Sequence, residues 1–192
     1  GSKHSALHSN ALALRFGLVQ PGDKPAVMRF LRQKRLSCGV YMSYFVLGGL
    51  FAEREDDFAF DLITGKDEHS WHTMLAADAT ACMEAWGPEQ KWNTSLCHAW
   101  ATAPVPMLVE QIMGLTPLRP GWQGLRFDPH TPRKLKRARL TITTPRGPIT
   151  AAFTQPSPGK VRYELQVPED MPVVVASSRP LAVHIQRSVH SS

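Results

Sequence analysis

Between Trp71 and Trp100 the chain gathers four of its five tryptophans around a carboxylate set among apolar residues, Glu84, and a histidine, His98. An apolar setting raises a carboxyl pKa and lets the group exchange protons near neutrality. Flat indole faces suit the C–H-rich faces of a sugar ring. These residues leave two readings open. One is core packing, with helix-borne tryptophans and Glu84 paired to an arginine. The other is a carbohydrate or small-molecule cleft, favoured by the mixture of Glu84, Trp71 and Trp86.

Such a cluster needs elements to position it. Upstream, apolar residues recur at helical spacing: Leu7, Leu12, Leu14, Phe16 and Leu18, then Val27, Phe30 and Leu31. Pro25 after Asp23 marks a helix start. Tyr41 to Glu53 reads as a mostly buried helix and Phe58 to Ile63 as a shorter one. Thr94 to Leu115 reads as one longer helical stretch that Pro104 and Pro106 must bend or delay. After Gly114 the period becomes two, in Leu125/Phe127, Leu140/Ile142, Ile149/Ala151/Phe153, Val161/Tyr163/Leu165/Val167, Val173/Val175 and Val183/Ile185. Turn residues separate these runs at Pro145-Arg-Gly-Pro, Gln155-Pro-Ser-Pro-Gly-Lys, Val167-Pro-Glu-Asp and Ser178-Arg-Pro. The pattern predicts an α+β chain, with a helical domain over residues 1–115 and a small antiparallel β-sandwich over residues 116–192.

Composition narrows the function classes. The 192 residues are 43% apolar and carry a net charge of +6. Residues 1–115 hold 10 Lys+Arg against 12 Asp+Glu, and residues 116–192 hold 12 against 4, so the excess lies in the β part. Its densest run, Arg133, Lys134, Lys136, Arg137 and Arg139, lacks aromatic platforms and leads into a strand-like alternation. It therefore reads as a solvated face and a basic turn, not a nucleic-acid site. No apolar run reaches the roughly 20 residues a membrane span needs, and Val40–Ala52 is broken by Gly48 and Gly49. Cys38, Cys82 and Cys97 fit no zinc pattern or disulfide framework, and Cys82 and Cys97 read as buried thiols. His4, His8, His69, His72, His98, His130, His184 and His190 form no ligand pattern beyond the isolated His69/His72 pair, so neither metal nor cofactor is expected.

Taken in order, Ser70-Trp71, Asp78-Ala-Thr-Ala-Cys-Met-Glu84-Ala-Trp86 and Asn93-Thr-Ser-Leu-Cys-His98-Ala resemble the C-terminal half of the α-L-rhamnosidases of glycoside hydrolase family 78. Those enzymes carry Ser-Trp, then Gly-Ala-Thr-Thr-x-Trp-Glu-x-Trp, then Ser-Leu-Asn-His. The exit Met113-Gly-Leu-Thr-Pro-Leu-Arg-Pro-Gly-Trp122, followed by Arg126-Phe-Asp-Pro and Thr144-Pro-Arg-Gly-Pro-Ile, is also similar to the family. The resemblance implies the C-terminal half of an (α/α)6 barrel followed by the β-sandwich. It implies hydrolysis of terminal α-L-rhamnose with inversion, which uses two carboxyl groups roughly 6.5–9.5 Å apart. By motif, Glu84 matches the general base and His98 a histidine that hydrogen-bonds the sugar. Trp71 matches an aromatic wall of the subsite, and Trp86 packs behind Glu84. The chain departs from the pattern at Asp78, Ala81, Met83 and Cys97, which leaves room for a different sugar preference.

The resemblance also implies a general acid on a segment like Asp-Cys-Pro-x-Arg-Asp-Glu, and no such run occurs in these residues. Asp56, Asp57, Asp61, Asp67 and Glu68 read as loop and capping charge. The chain is therefore expected to be an inactive fragment of a glycosidase, whose partners are a rhamnose-containing glycoside and the N-terminal part of the same enzyme. Exposed barrel helices would favour self-association. The rival readings are a non-catalytic carbohydrate-binding fragment and an (α/α)-barrel glycosidase of other specificity. No signal peptide is evident, and the resemblance favours a secreted or periplasmic setting.

Overall fold

The structure, a computed structural model, describes residues 5–177 and 181–188 and divides into two compact units, Gly1–Met107 and Leu108–Ser192. The turn expected at Ser178-Arg-Pro lies outside the described residues.

The first unit is helical, with α1 (Leu7–Arg15), α2 (Lys24–Lys34), α3 (Ser43–Ala52), α4 (Asp56–Ile63), α5 (Trp71–Ala76) and a single turn, α6 (Pro104–Pro106). Asp23 and Pro25 open α2 where the sequence places its start, and Arg32 and Lys34 complement the dipole of its last turn. The core is α3, which buries Val46, Leu47, Leu50 and Phe51 against its neighbours. Gly48 and Gly49, which break the apolar run as a membrane span, serve here to let α1 approach. A Cβ on Gly49 would stand 3.3 Å from the backbone nitrogen of Arg15, and one on Gly48 2.7 Å from Arg15 Nε. A side chain at Gly48 would displace the Arg15 side chain, and one at Gly49 would press on the α1 backbone, so two glycines here favour the close crossing. Asp56 and Asp57 occupy the first turn of α4, where the helix dipole favours negative charge. No described helix is long and apolar enough to cross a membrane.

The single helical stretch predicted over Thr94–Leu115 does not form. Residues 94–98 are loop, Ala99–Ala101 make one 3-10 turn, and regular helix begins only at Pro104. Pro104 and Pro106 lack the N–H groups that would continue a helix arriving from upstream, whereas at a first turn they are tolerated. Met107–Ile112 then adopt π-helical winding, with Met113 N donating to Leu108 O at 2.9 Å.

The second unit contains β1 (Leu115–Pro117), β2 (Leu125–Phe127), β3 (Arg137–Thr144), β4 (Gly147–Ser157), β5 (Lys160–Pro168), β6 (Val173–Val175) and β7 (Ala182–Ser188). They form a three-stranded sheet ordered β1-β2-β6 and a four-stranded sheet ordered β3-β4-β5-β7. The expected antiparallel architecture is corrected here, because both sheets are mixed. β6 runs parallel to β2 and β7 parallel to β5, while the remaining pairs are antiparallel. The chain leaving β5 contributes β6 to the other sheet before β7 returns, and a connection of that length permits a parallel partner.

Period-two alternation buries Ile149, Ala151 and Phe153 on β4 and Tyr163, Leu165 and Val167 on β5. Phe127 of one sheet meets Tyr163 of the other edge to face at 5.6 Å. The basic run leaves Arg133, Lys134, Lys136, Arg137 and Arg139 exposed, and its turn is anchored from beneath by Gln155. That buried amide donates to Pro132 O at 2.9 Å and Leu135 O at 2.8 Å and accepts from Gly159 N at 3.0 Å.

Gly114 and Gly121 share a left-handed backbone, with φ of 68° and 70°, but differ in surroundings. A Cβ on Gly114 would lie 2.4 Å from the backbone nitrogen of Pro129, whereas one on Gly121 would meet nothing within 4 Å. Gly121→Ala is expected to cost about 1–2 kcal/mol from conformation alone. Gly114→Ala should cost clearly more by urea denaturation, and equal losses would remove the close approach as a cause.

Candidate functional site

Two indoles build the site from below. Trp71 opens α5 and is 9% exposed, and Trp86 is 2% exposed. They meet edge to face with ring centroids 5.0 Å apart. Burial obliges each indole N–H to find an acceptor. Trp71 Nε1 donates to Ala101 O at 2.7 Å, and Trp86 Nε1 donates to Cys38 O at 2.6 Å. Thr73 Oγ1 on α5 donates to the backbone carbonyl of Trp86, and Met83 is buried beside them.

Between these anchors α5 stops in a specific way. Asp78 N donates to Leu75 O and Ala79 N to Met74 O, the paired bonds of a Schellman C-terminus, with Asp78 left-handed at φ 53°. This is the position at which the resembled motif carries glycine. Aspartate is among the few other residues that tolerate the conformation, so Asp78 is compatible with this left-handed turn.

The loop that follows folds back on itself. Glu84 N donates to Ser95 O at 2.9 Å, and His98 N donates to Cys82 O at 2.7 Å. Residues 82–84 therefore run beside residues 95–98, bringing Glu84 and His98 onto facing stretches. The Glu84 side chain is 19% exposed. Its Oε1 accepts from Lys91 Nζ at 2.6 Å and its Oε2 accepts from Ser95 N at 3.1 Å. The expected arginine partner is thus a lysine seven residues along the loop, and the expected upward pKa shift is reversed. The Lys91 hydrogen bond, then the Ser95 N–H, hold the carboxyl below the usual glutamate range, with smaller help from the charges of Lys91 and His98. Glu84 is an ionised acceptor. Each oxygen keeps a further lone pair for a water or a hydroxyl.

His98 is partly exposed and its ring lies 4.3 Å from that of Trp100. Trp100, half-exposed, sits 5.4 Å from Tyr41, and these two line an apolar cavity of about 330 Å3 with Tyr44, Phe45, Ala103 and Pro106. Trp100, Tyr41 and Trp92 present open aromatic faces, while Trp71 and Trp86 are enclosed. Sequence reasoning passed over Lys91, Tyr41, Tyr44 and Phe45. Tyr41 carried a usable signal only in hindsight of its exposure, since its position in an apolar run reads as core. Cys97 is exposed and Cys82 partly so, which corrects the expectation of two buried thiols; only Cys38 is buried. Among the described residues no group of three or more His, Cys, Asp or Glu side chains is placed to hold a metal ion.

Comparison with known proteins gives consistent matches for both units. Residues 1–112 match the family described as the bacterial alpha-L-rhamnosidase 6 hairpin glycosidase domain, and residues 114–185 match the bacterial alpha-L-rhamnosidase C-terminal domain. No curated protein sequence matches the chain. Among solved structures, the GH78 family rhamnosidase of Bacillus sp. GL1 is similar over 100% of this chain, with a TM-score of 0.78 and 23% identity. The α-L-rhamnosidase of Dictyoglomus thermophilum is similar over 87%, with a TM-score of 0.76 and 19% identity. The Streptomyces avermitilis α-L-rhamnosidase complexed with L-rhamnose is similar over 88%, with a TM-score of 0.75 and 21% identity. The chain spans only 21%, 20% and 18% of those three structures.

The carboxylate geometry has a measurable consequence. A folded-state pKa below the unfolded value means that Glu84 contributes stability above the ordinary glutamate range and loses it as pH falls through its folded pKa. An NMR titration of the Glu84 carboxyl is expected to fall below that range. Lys91→Met should return it upward, and an unchanged titration would show that Lys91 is not the main cause.

Proposed function

From the premise that this chain belongs to the bacterial α-L-rhamnosidases, as a six-hairpin glycosidase segment followed by that family's C-terminal domain, we propose that it supplies the base side of an inverting glycosidase active site. Its helical unit is the C-terminal half of an (α/α)6 barrel, and its two mixed sheets face each other as a β-sandwich. The substrate is a terminal α-L-rhamnose on a glycoside or polysaccharide.

The observation that carries this reading is the state of Glu84. A general base must be ionised when the acid opposite it is protonated, and Lys91 with the Ser95 N–H keeps Glu84 in that form. Glu84 takes a proton from the water that attacks the anomeric carbon on the face opposite the leaving group. A second carboxyl, roughly 6.5–9.5 Å away, protonates the leaving oxygen. That acid comes from residues outside these 192, on the part of the enzyme that completes the barrel.

His98, facing Glu84 across the paired segments, hydrogen-bonds the sugar. Trp71 and Trp86 serve the sugar as the floor that fixes this loop, and the half-exposed Trp100 supplies a C–H stacking face beside His98. Trp92, Leu96, Leu75 and Trp100 are exposed apolar side chains in the same region. They support a surface that the rest of the barrel covers and that favours self-association in its absence.

The test uses an enzyme of full family length that contains this chain. Glu84→Gln is expected to lower kcat on an aryl α-L-rhamnoside by about 10²–10⁴-fold, with rhamnose binding retained. The 192-residue chain alone should give no turnover. An unchanged kcat in Glu84→Gln would remove Glu84 as the base. Hydrolysis of a different aryl glycoside in preference to the rhamnoside would replace the sugar but keep the base.

A further inference from the structure

We propose that Cys82 and Cys97 are an oxidation site, closing a reversible disulfide that fastens the segment bearing Glu84 to the segment bearing His98. The backbone brings the two together. His98, the residue after Cys97, donates its N–H to the carbonyl of Cys82 itself at 2.7 Å, and Glu84 N donates to Ser95 O at 2.9 Å on the other side of the pair. That bond makes Cys82 and Cys97 neighbours across the two paired segments, which a disulfide requires, since it spans a Cα separation of about 4.4–6.8 Å. The thiols also sense each other: burial first, and then the charge of Cys97, push the Cys82 thiol up.

The three cysteines differ in ways that set the order of events. Cys97 is exposed and open to a small oxidant, whereas Cys82 is only partly exposed. Cys38 is buried and its thiol is pushed up to about 12, so it is withheld from exchange at neutral pH. With a low-molecular-weight disulfide as oxidant, the Cys97 thiolate attacks one sulfur, releases one thiol and leaves a mixed disulfide on Cys97. The Cys82 thiolate then attacks the Cys97 sulfur, the protein S–S bond forms, and the second thiol leaves. Two protein thiols and one disulfide become one protein disulfide and two free thiols.

The effect of the bond on the carboxylate rests on the proposed function, because it would hold Glu84 and His98 at fixed spacing. The bond itself does not depend on that reading. The folded chain is incubated with oxidised glutathione, free thiols are alkylated, and peptides are mapped without reduction. The expected result is an intrachain bond joining Cys82 to Cys97, reopened by dithiothreitol, with Cys38 alkylated only after unfolding. Cys82→Ser should instead stop at glutathione on Cys97. A wild-type chain that stops at the mixed disulfide, or is joined to a second chain through Cys97, would overturn the proposal. So would an internal disulfide that persists in Cys82→Ser. Because the readout is covalent, absence of the bond leaves the base assignment standing, and loss of the base assignment leaves the bond standing.

Discussion

The edge-to-face contact of Trp71 and Trp86 is the constraint on which the candidate site depends. Each indole is a large apolar surface, and burying both is favourable only if each N–H keeps a partner. The acceptors lie far apart in sequence, at Ala101 and Cys38, so satisfying the two donors joins α5, the turn at Ala99–Ala101 and the segment before α3. The loop from Ala77 to His98 has little regular structure, and its geometry is inherited from these ends. An edge-to-face pair contributes about 0.5–1.5 kcal/mol beyond its area. Its larger effect is positional, since it decides where Glu84 emerges.

From such fixed ends the loop needs few further contacts. The two backbone bonds between residues 82–84 and 95–98 pair the returning strands, and Lys91 closes the turn between them onto Glu84. A surface ion pair of this kind contributes little to stability on its own. Here its role is to orient a carboxylate and keep it ionised. Ser95 does the same through a backbone N–H, which depends on the pairing and not on the identity of the side chain.

The parts of this arrangement that were legible in the sequence are those governed by periodicity and by short-range rules. The helix start at Pro25, the switch to period two after Gly114, and the exposed strand face of the basic run all follow from local chemistry, whereas the helix expected from Phe58 begins two residues earlier, at Asp56. Glu84 and His98 were legible as a pair through their motif. Their environment was not. The tryptophans around Glu84 suggested an apolar setting, yet those rings turn away to donate to Ala101 and Cys38, and a lysine reaches the carboxylate. Apolar content near a residue in sequence says little about what its charged atoms touch. Likewise, prolines at 104 and 106 announced a break, but the extent of loop upstream is decided by the pairing of residues 95–98 with residues 82–84. The parallel strands escaped for a related reason: alternation fixes which face is buried, not which direction a returning strand runs.

The charge state of Glu84 also bears on the proposed function, because it limits the role this one carboxylate can take in a hydrolytic pair. A general acid needs its proton at working pH, which requires burial or a neighbouring negative charge to raise its pKa. Glu84 has the opposite surroundings, two donors and nearby positive charge. Its environment suits accepting a proton from water and opposes delivering one to a leaving oxygen. In the proposed inverting site the two carboxyls have pKa values pushed apart, and the surroundings of Glu84 suit the lower of the two. The partner carboxyl of that proposed pair would need the opposite surroundings, burial or a neighbouring negative charge. The role proposed for Glu84 thus follows from its electrostatics before any step of the reaction is considered.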